Sequence, residues 1–237
     1  KVAIPNLVLS VVEKTAYQQL LIDKKPWGRY SAESWNGTTL PELGGNTSRN
    51  ATTSAILASG KKSGNGAYQP IHYLTGNKNS SIKFTYGSIP VKFTVCSITR
   101  YNGANRNRIL IGDNTCSFLH GHHSGKRGAV FYEGWKNNEG KSTGIQDDWL
   151  NCCGTNNPSI GVPNNILIDG VAEAVNNGGG CTSDKTMGIN IEIGPSEFSD
   201  FEFSQLIIFD QFLTSSEMII VSNAFNNYLQ NGVLDTP

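Results

Sequence analysis

INIEIGPSEFSDFEFSQLIIFDQFLTSSEM, residues 189–218, carries three structural signals in a row. In INIEI (189–193), Ile189, Ile191 and Ile193 alternate with polar residues, the period of a half-buried strand. FEFSQLIIF (201–209) starts with the same alternation and closes as a continuous apolar run, which suits a deep central strand. Thr214 and Glu217 then stand three apart as a capping box. They precede a helical face of Met218, Val221, Phe225 and Tyr228, and Gly232 lies just past its end. A sheet closed by one capped C-terminal helix is the expected arrangement.

Moving outward, IKFTY (82–86) and VKFTV (91–95) alternate in the same way and are separated by Gly87, Ser88 and Pro90. RILIG (108–112), FLHGHH (118–123), AVFYEGW (129–135) and WLNCCG (149–154) read as further strands. ILIDGVAEA (166–174) reads as a hairpin turning at Asp169-Gly170. Residues 27–66 are turn-rich, and residues 1–25 are aliphatic enough for a strand followed by a short helix. Many short strands with one firm helix predict an all-β chain, an antiparallel β-sandwich or jelly roll.

Composition narrows the function. Of 237 residues, 19 are Lys or Arg and 19 are Asp or Glu, so the basic excess of a nucleic-acid binder is missing. No apolar run reaches the roughly 18–20 residues of a membrane span. The chain opens on Lys1, as a processed or excised segment would. Its five cysteines, Cys96, Cys116, Cys152, Cys153 and Cys181, have no CxxC spacing. Two disulfides and one leftover thiol fit a secreted protein, and five buried thiols are the alternative. Adjacent Cys152 and Cys153 point to opposite strand faces, so at least one is expected to pair with Cys96, Cys116 or Cys181. Sequons begin at Asn36, Asn46, Asn50 and Asn79, about the number that chance supplies in a chain this rich in Asn, Ser and Thr.

FTVCSITRYNGANRNRILIGD (93–113), SFLHGHHSGKRGAVFYEGW (117–135), DDWLNCCGTN (147–156) and the stretch 189–218 follow in an order that resembles concanavalin A-like (laminin G-like) jelly-roll domains of large secreted proteins. In those domains a strand after Ser-Asp-Phe, here Ser199, Asp200 and Phe201, carries a run like LIIFDQFLTSSE into a capped helix. The resemblance covers roughly residues 28–231 and implies an extracellular or cell-surface jelly roll. That superfold hosts lectins, glucanases, adhesion modules and spacers alike. The division expected is an N-terminal aliphatic segment, 1–27, available for contact with a neighbouring subunit, and a jelly-roll domain, 28–237.

Three of the four histidines crowd together. On a strand His120 and His122 share one face and His123 takes the other. A His-x-His pair can supply two zinc or copper ligands, with His72 as the one further imidazole. Gly121 and the following Ser124-Gly125 predict the plainer outcome, a hairpin with a ligand-facing tip, and the resembling domains carry a similar Leu-His-Gly strand. Glucanases of this superfold place carboxylates as Glu-x-Asp-x-x-Glu on one strand. No strand here does so, and Glu192 and Glu202 read as solvated outer-face carboxylates. Nucleophile elbow, phosphate loop and HExxH are missing too, so the expectation is a chain without enzymatic activity.

Sugar recognition needs aromatic faces beside hydroxyl-pairing groups. Trp135, Tyr132, Trp35 and His122 are the candidates, whereas Trp149 reads as core. Asp113 with Asn114, or Asp147 with Asp148, are the oxygen donors for calcium if any is held, and turn chemistry explains them equally well. The expected function is an extracellular glycan-binding or adhesion module. The alternatives are a building block of a matrix or surface filament made through contacts with neighbouring protein subunits, and, remotely, a glycosidase-like enzyme.

Overall fold

A computed structural model describes residues 13–137, 142–192 and 194–235. Two antiparallel sheets stack face to face. The first contains β1 (Gly28–Ser31), β4 (Ala58–Gly64), β5 (Ala67–Gly76), β7 (Thr94–Tyr101), β11 (Leu150–Thr155), β12 (Ile166–Ile168), β13 (Val171–Ala172) and β15 (Phe201–Phe209). The second contains β2 (Thr39–Leu40), β3 (Ala51–Thr53), β6 (Ile82–Lys83), β8 (Leu110–Gly112), β9 (Phe118–His123), β10 (Lys126–Tyr132) and β14 (Met187–Ile189). The first is ordered β13-β12-β11-β7-β15-β5-β4, with β1 also paired to β15, and the second β10-β9-β8-β14-β6-β3-β2. The chain is therefore an all-β sandwich, as the alternating runs predict.

β15 and β7 lie side by side at the centre of the first sheet, and every residue of both is buried. Burial on two faces explains the unbroken apolar run of 206–209. Inner-face side chains such as Phe201, Phe203, Leu206 and Ile208 meet Phe84, Phe93, Phe118 and Tyr132 in the inter-sheet core. The outer face of the same sheet, through Cys96, Ile98, Ile207 and Phe209, is covered by two helices, α1 (Ala16–Lys24) and α2 (Ser215–Asn231).

Helix α2 carries the expected caps, with a reciprocal Thr214–Glu217 box and Gly232 left-handed at φ 73°. Its Met218, Val221 and Phe225 pack with Tyr17, Leu20 and Leu21 of α1. The short N-terminal helix thus shares a core with the sandwich. The strand expected ahead of it falls within 1–12, outside the described residues.

Some strands sit elsewhere than the alternation places them. INIEI is not a strand: pairing ends at Ile189, and Asn190 and Glu192 turn left-handed at φ 52° and 51°. Asn190 explains the break, because its Nδ2 donates to the carbonyls of Asn77, Ser80 and Ser199 while its Oδ1 accepts from the Ser199 amide. Ile193 lies outside the described residues. VKFTV yields to β7, which starts only at Thr94 and leaves Val91 exposed. Glu202 is not a solvated carboxylate. It is 1% exposed, held by Lys62 Nζ at 2.6 Å and Arg100 Nε at 2.5 Å. Glu192 is exposed and pairs with Lys83.

Two disulfides join Cys96 to Cys153 and Cys116 to Cys181, and Cys152 is a buried thiol. Cys153 lies directly opposite Cys96 on neighbouring strands. Cys152 faces the other way, into the inter-sheet core.

Candidate functional site

The histidine cluster lies on a hairpin. Ser124 and Gly125, both at positive φ (49° and 77°), make the two-residue turn that joins β9 to β10. Register then sets which side chains face out. Val130 opposes His120 and Tyr132 opposes Phe118, so these four point into the sandwich. Phe131 opposes Leu119, and these two point away from it. Arg127 anchors the hairpin beneath: its guanidinium grips both oxygens of Asp169 at 2.6 and 2.8 Å and donates to the Trp149 carbonyl at 2.5 Å.

Past β10 the chain doubles back. The Tyr132 amide donates to the Gly134 carbonyl and the Lys136 amide to the Val130 carbonyl, so Trp135 folds over Phe131. Their rings meet edge to face with centroids 5.2 Å apart, and the His123 ring lies 5.4 Å from that of Trp135. All three rings are partly exposed. Together with Leu119, Ser117 and Arg108 they line a depression of about 190 Å³. Its wall is apolar and aromatic, and its polar groups come from Arg108, Ser117 and His123. Arg108 Nε faces Glu197 Oε2 at 2.9 Å, and Ser117 is fixed by the exposed Glu133, whose Oε1 accepts the Ser117 amide at 2.9 Å.

Of the residues expected at a sugar site, Trp135 lines this depression. Tyr132 and His122 do not: both are 0% exposed. Tyr132 donates its hydroxyl hydrogen to His120 Nδ1 at 2.7 Å, and His120 Nε2–H donates to the Cys152 carbonyl at 3.1 Å. Burial pushes His120 down to about pKa 4 against the help of that carbonyl. His122, edge-on to Tyr101 and 3.4 Å from Thr99 Oγ1, is also pushed well down, by burial first and then by Arg127 and His120. Trp35 is half-buried against the core and donates to Thr53 Oγ1 of β3, four strands along the second sheet from β9. Trp149 is core, 1% exposed.

The oxygen donors for calcium are likewise spoken for by local contacts. Burial alone would raise the Asp113 carboxyl, but hydrogen bonds from Thr115 and Thr186 outweigh it and hold the group below its ordinary value. Asn114 beside it is exposed. Asp147 pairs with Arg106 at 2.7 Å, and Asp148 follows it in the same loop. Among the described residues the side chains close enough to share a metal are Cys116, Glu133 and Cys181, and their two sulfurs are bonded to each other. At the sequons, Asn36, Asn46 and Asn79 are exposed and Asn50 is half-buried, its Oδ1 accepting the Glu42 amide.

Phe131, His123, Arg108 and Glu197 were not among the expected binding residues. The turn at Ser124-Gly125 fixes the parity of His123, and Phe131 shares its face only because the strand shifts register between Arg127 and Ala129.

No protein-family model and no curated protein matches the chain. Solved structures do match. Trypanosoma rangeli sialidase superposes with a TM-score of 0.54 at 10% identity, over 86% of this chain and 33% of that one. Domain 4 of AbnA, a GH43 extracellular arabinanase from Geobacillus stearothermophilus in complex with arabinotriose, superposes at 0.55 and 11% identity, covering 82% and 97%. The binding domain of Paraclostridial Mosquitocidal Protein 1 does so at 0.55 and 15%, covering 85% and 53%. The chain spans about a third of the sialidase chains' length. At such identities the likeness is one of fold.

It nevertheless corrects the expectation of a chain without enzymatic activity. Sialidases and a domain of an arabinanase share this sandwich. The missing Glu-x-Asp-x-x-Glu strand excludes one carboxylate arrangement, not enzyme chemistry.

Proposed function

We propose that this chain is a glycan-binding β-sandwich whose binding site is the depression floored by Phe131, Trp135 and His123. The observation that carries the reading is the folding of Trp135 over Phe131. It leaves a partly exposed aromatic surface beside an ion pair and a hydroxyl, on a chain that otherwise buries most of its large aromatic side chains. A sugar ring offers apolar C–H faces to stack on such a surface and hydroxyls for the polar rim. The arabinanase domain caught with arabinotriose lends support from the same fold.

We read the sandwich as concanavalin A-like, with residues 28–237 as the recognition domain and 1–27 as a preceding segment whose helix α1 clasps α2. Two disulfides suit an oxidising, extracellular setting. The test is Trp135→Ala, assayed on a glycan array and by titration calorimetry. Loss of a stacked ring should weaken binding about threefold to tenfold, with the melting temperature held as a check on the fold. Glycan binding that survives the substitution unchanged would remove the site from this depression.

A further inference from the structure

The depression on β9 and β10 is lined by one cationic side chain, Arg108, and that cation is already matched by Glu197. The pair is held from both sides. The Arg108 amide donates to the Glu197 carbonyl at 3.0 Å, and Asn107 Nδ2 donates to the Ser196 and Phe198 carbonyls at 2.7 and 3.2 Å. A second carboxylate, Glu133, is fixed at the rim through Ser117. Its backbone is left-handed, at φ 49°, where its own amide donates to the Ser117 carbonyl at 2.9 Å. Lys126, the cross-strand neighbour of His123, does not line the depression. Glu197 and Glu133 do not line it either, so Arg108 is the one Lys, Arg, Asp or Glu side chain in its wall, and it is already matched by Glu197.

We infer that the site selects uncharged glycans and rejects acidic ones, an inference that rests on the glycan-binding reading above. A neutral hydroxyl both donates and accepts, so it can bridge a guanidinium and a carboxylate without disturbing their pairing. A sugar carboxylate reaching Arg108 would meet Glu197 beside it, a like charge well within a Debye length of about 10 Å. To be bound it would have to draw Arg108 away from Glu197, leaving that carboxylate without its counter-charge. Such an arrangement sets specificity by repelling the wrong ligand as much as by holding the right one.

The experiment uses an array of neutral oligosaccharides and the same glycans capped with uronic or sialic acids. It is run at about pH 8, where an ordinary histidine is uncharged. Calorimetry then follows on the tightest neutral glycan and its acid-capped counterpart. The neutral glycan should bind at least about tenfold more tightly. Its affinity should change less than about twofold between about 20 mM and 500 mM NaCl, because no net charge is neutralised on binding. Glu197→Gln releases the guanidinium and should move the ratio towards the acidic glycan by about tenfold, and Glu133→Gln should move it the same way by less. A wild-type preference for acid-capped glycans overturns the inference while leaving glycan binding in place, and so does a ratio unmoved in both variants when their melting temperatures match wild type. Failure to bind either class overturns the glycan-binding reading and this one with it.

Discussion

His120 supplies a measurable consequence of the core. An unfolded chain takes up the histidine proton near pH 6.5, whereas in the fold burial holds His120 neutral down to about pH 4. Between those values the unfolded state binds the extra proton, so stability is fully present at higher pH and is lost as pH falls from about 6.5 towards 4. The whole difference corresponds to about 3 kcal/mol at 1.36 kcal/mol per pH unit. Restricting the comparison to about pH 7 and pH 5, where carboxylates remain ionised, leaves about 2 kcal/mol from this one side chain. His122 acts in the same direction. His120→Gln keeps an acceptor for the Tyr132 hydroxyl and a donor for the Cys152 carbonyl but cannot be protonated in this range. Urea unfolding of both proteins at the two pH values should show wild type losing about 2 kcal/mol more than the variant on acidification. Parallel pH dependences, or an imidazole resonance of His120 that titrates near pH 6.5 in the folded protein, would refute a neutral, buried His120.

Two other consequences are testable with less apparatus. Glu202→Gln leaves Arg100, 6% exposed, without the carboxylate that matches it, and should cost about 3–5 kcal/mol in denaturant unfolding; a loss below about 1 kcal/mol would show that water reaches this pair. Cys152 is buried, and burial pushes its thiol well up, so in non-reduced protein one thiol per chain should react with a thiol reagent only after unfolding, and none in Cys152→Ala; ready labelling of the native protein would place that sulfur elsewhere.

Most of the fold was legible because water on one side of a sheet forces alternation. The clearest reading is 201–209 with its capped helix, where an apolar run buried on both faces and the capping residues agree. Where neither face decides the sequence, the reading failed. The long hairpin of β4 with β5 went unread: β4 lies in the turn-rich stretch, and β5 just past it was assigned no element. Its edge strand, ASGKKSG, is largely exposed on both faces and has no apolar period to read. Asn65-Gly66 at its tip, with φ 52° and 84°, was the available signal, since few dipeptides tolerate two left-handed residues in succession. INIEI failed for the opposite reason. Its alternation is real, but Asn190 spends its side chain on four backbone groups of two other loops, and that tertiary gain ends the strand.

The residues of the depression were missed by a single position, twice. Tyr132 and His122 were expected to face a ligand but are buried, while their neighbours Phe131 and His123 line the outer depression. Strand parity decides such a choice, and parity needs one fixed point. Here the fixed point is the hydrogen-bonded pair of His120 with Tyr132, which commits both to the core. A second complication is the irregularity between Arg127 and Ala129, where Gly128 at φ 87° lets the strand step out of register. Alternation counted from Lys126, the outward partner of His123, therefore assigns Phe131 to the wrong face. Counting from the turn along β9 keeps the parity intact, because that strand has no bulge. Arg108 and Glu197 lie beyond any such rule. They come from loops far apart in sequence, and only the pairing of β8 with β14 in the second sheet brings those loops side by side. The aromatic floor of the depression is thus a local property of one hairpin, open to sequence reading once parity is right. The charge on its rim is a property of the whole topology, and so is any selectivity that depends on it.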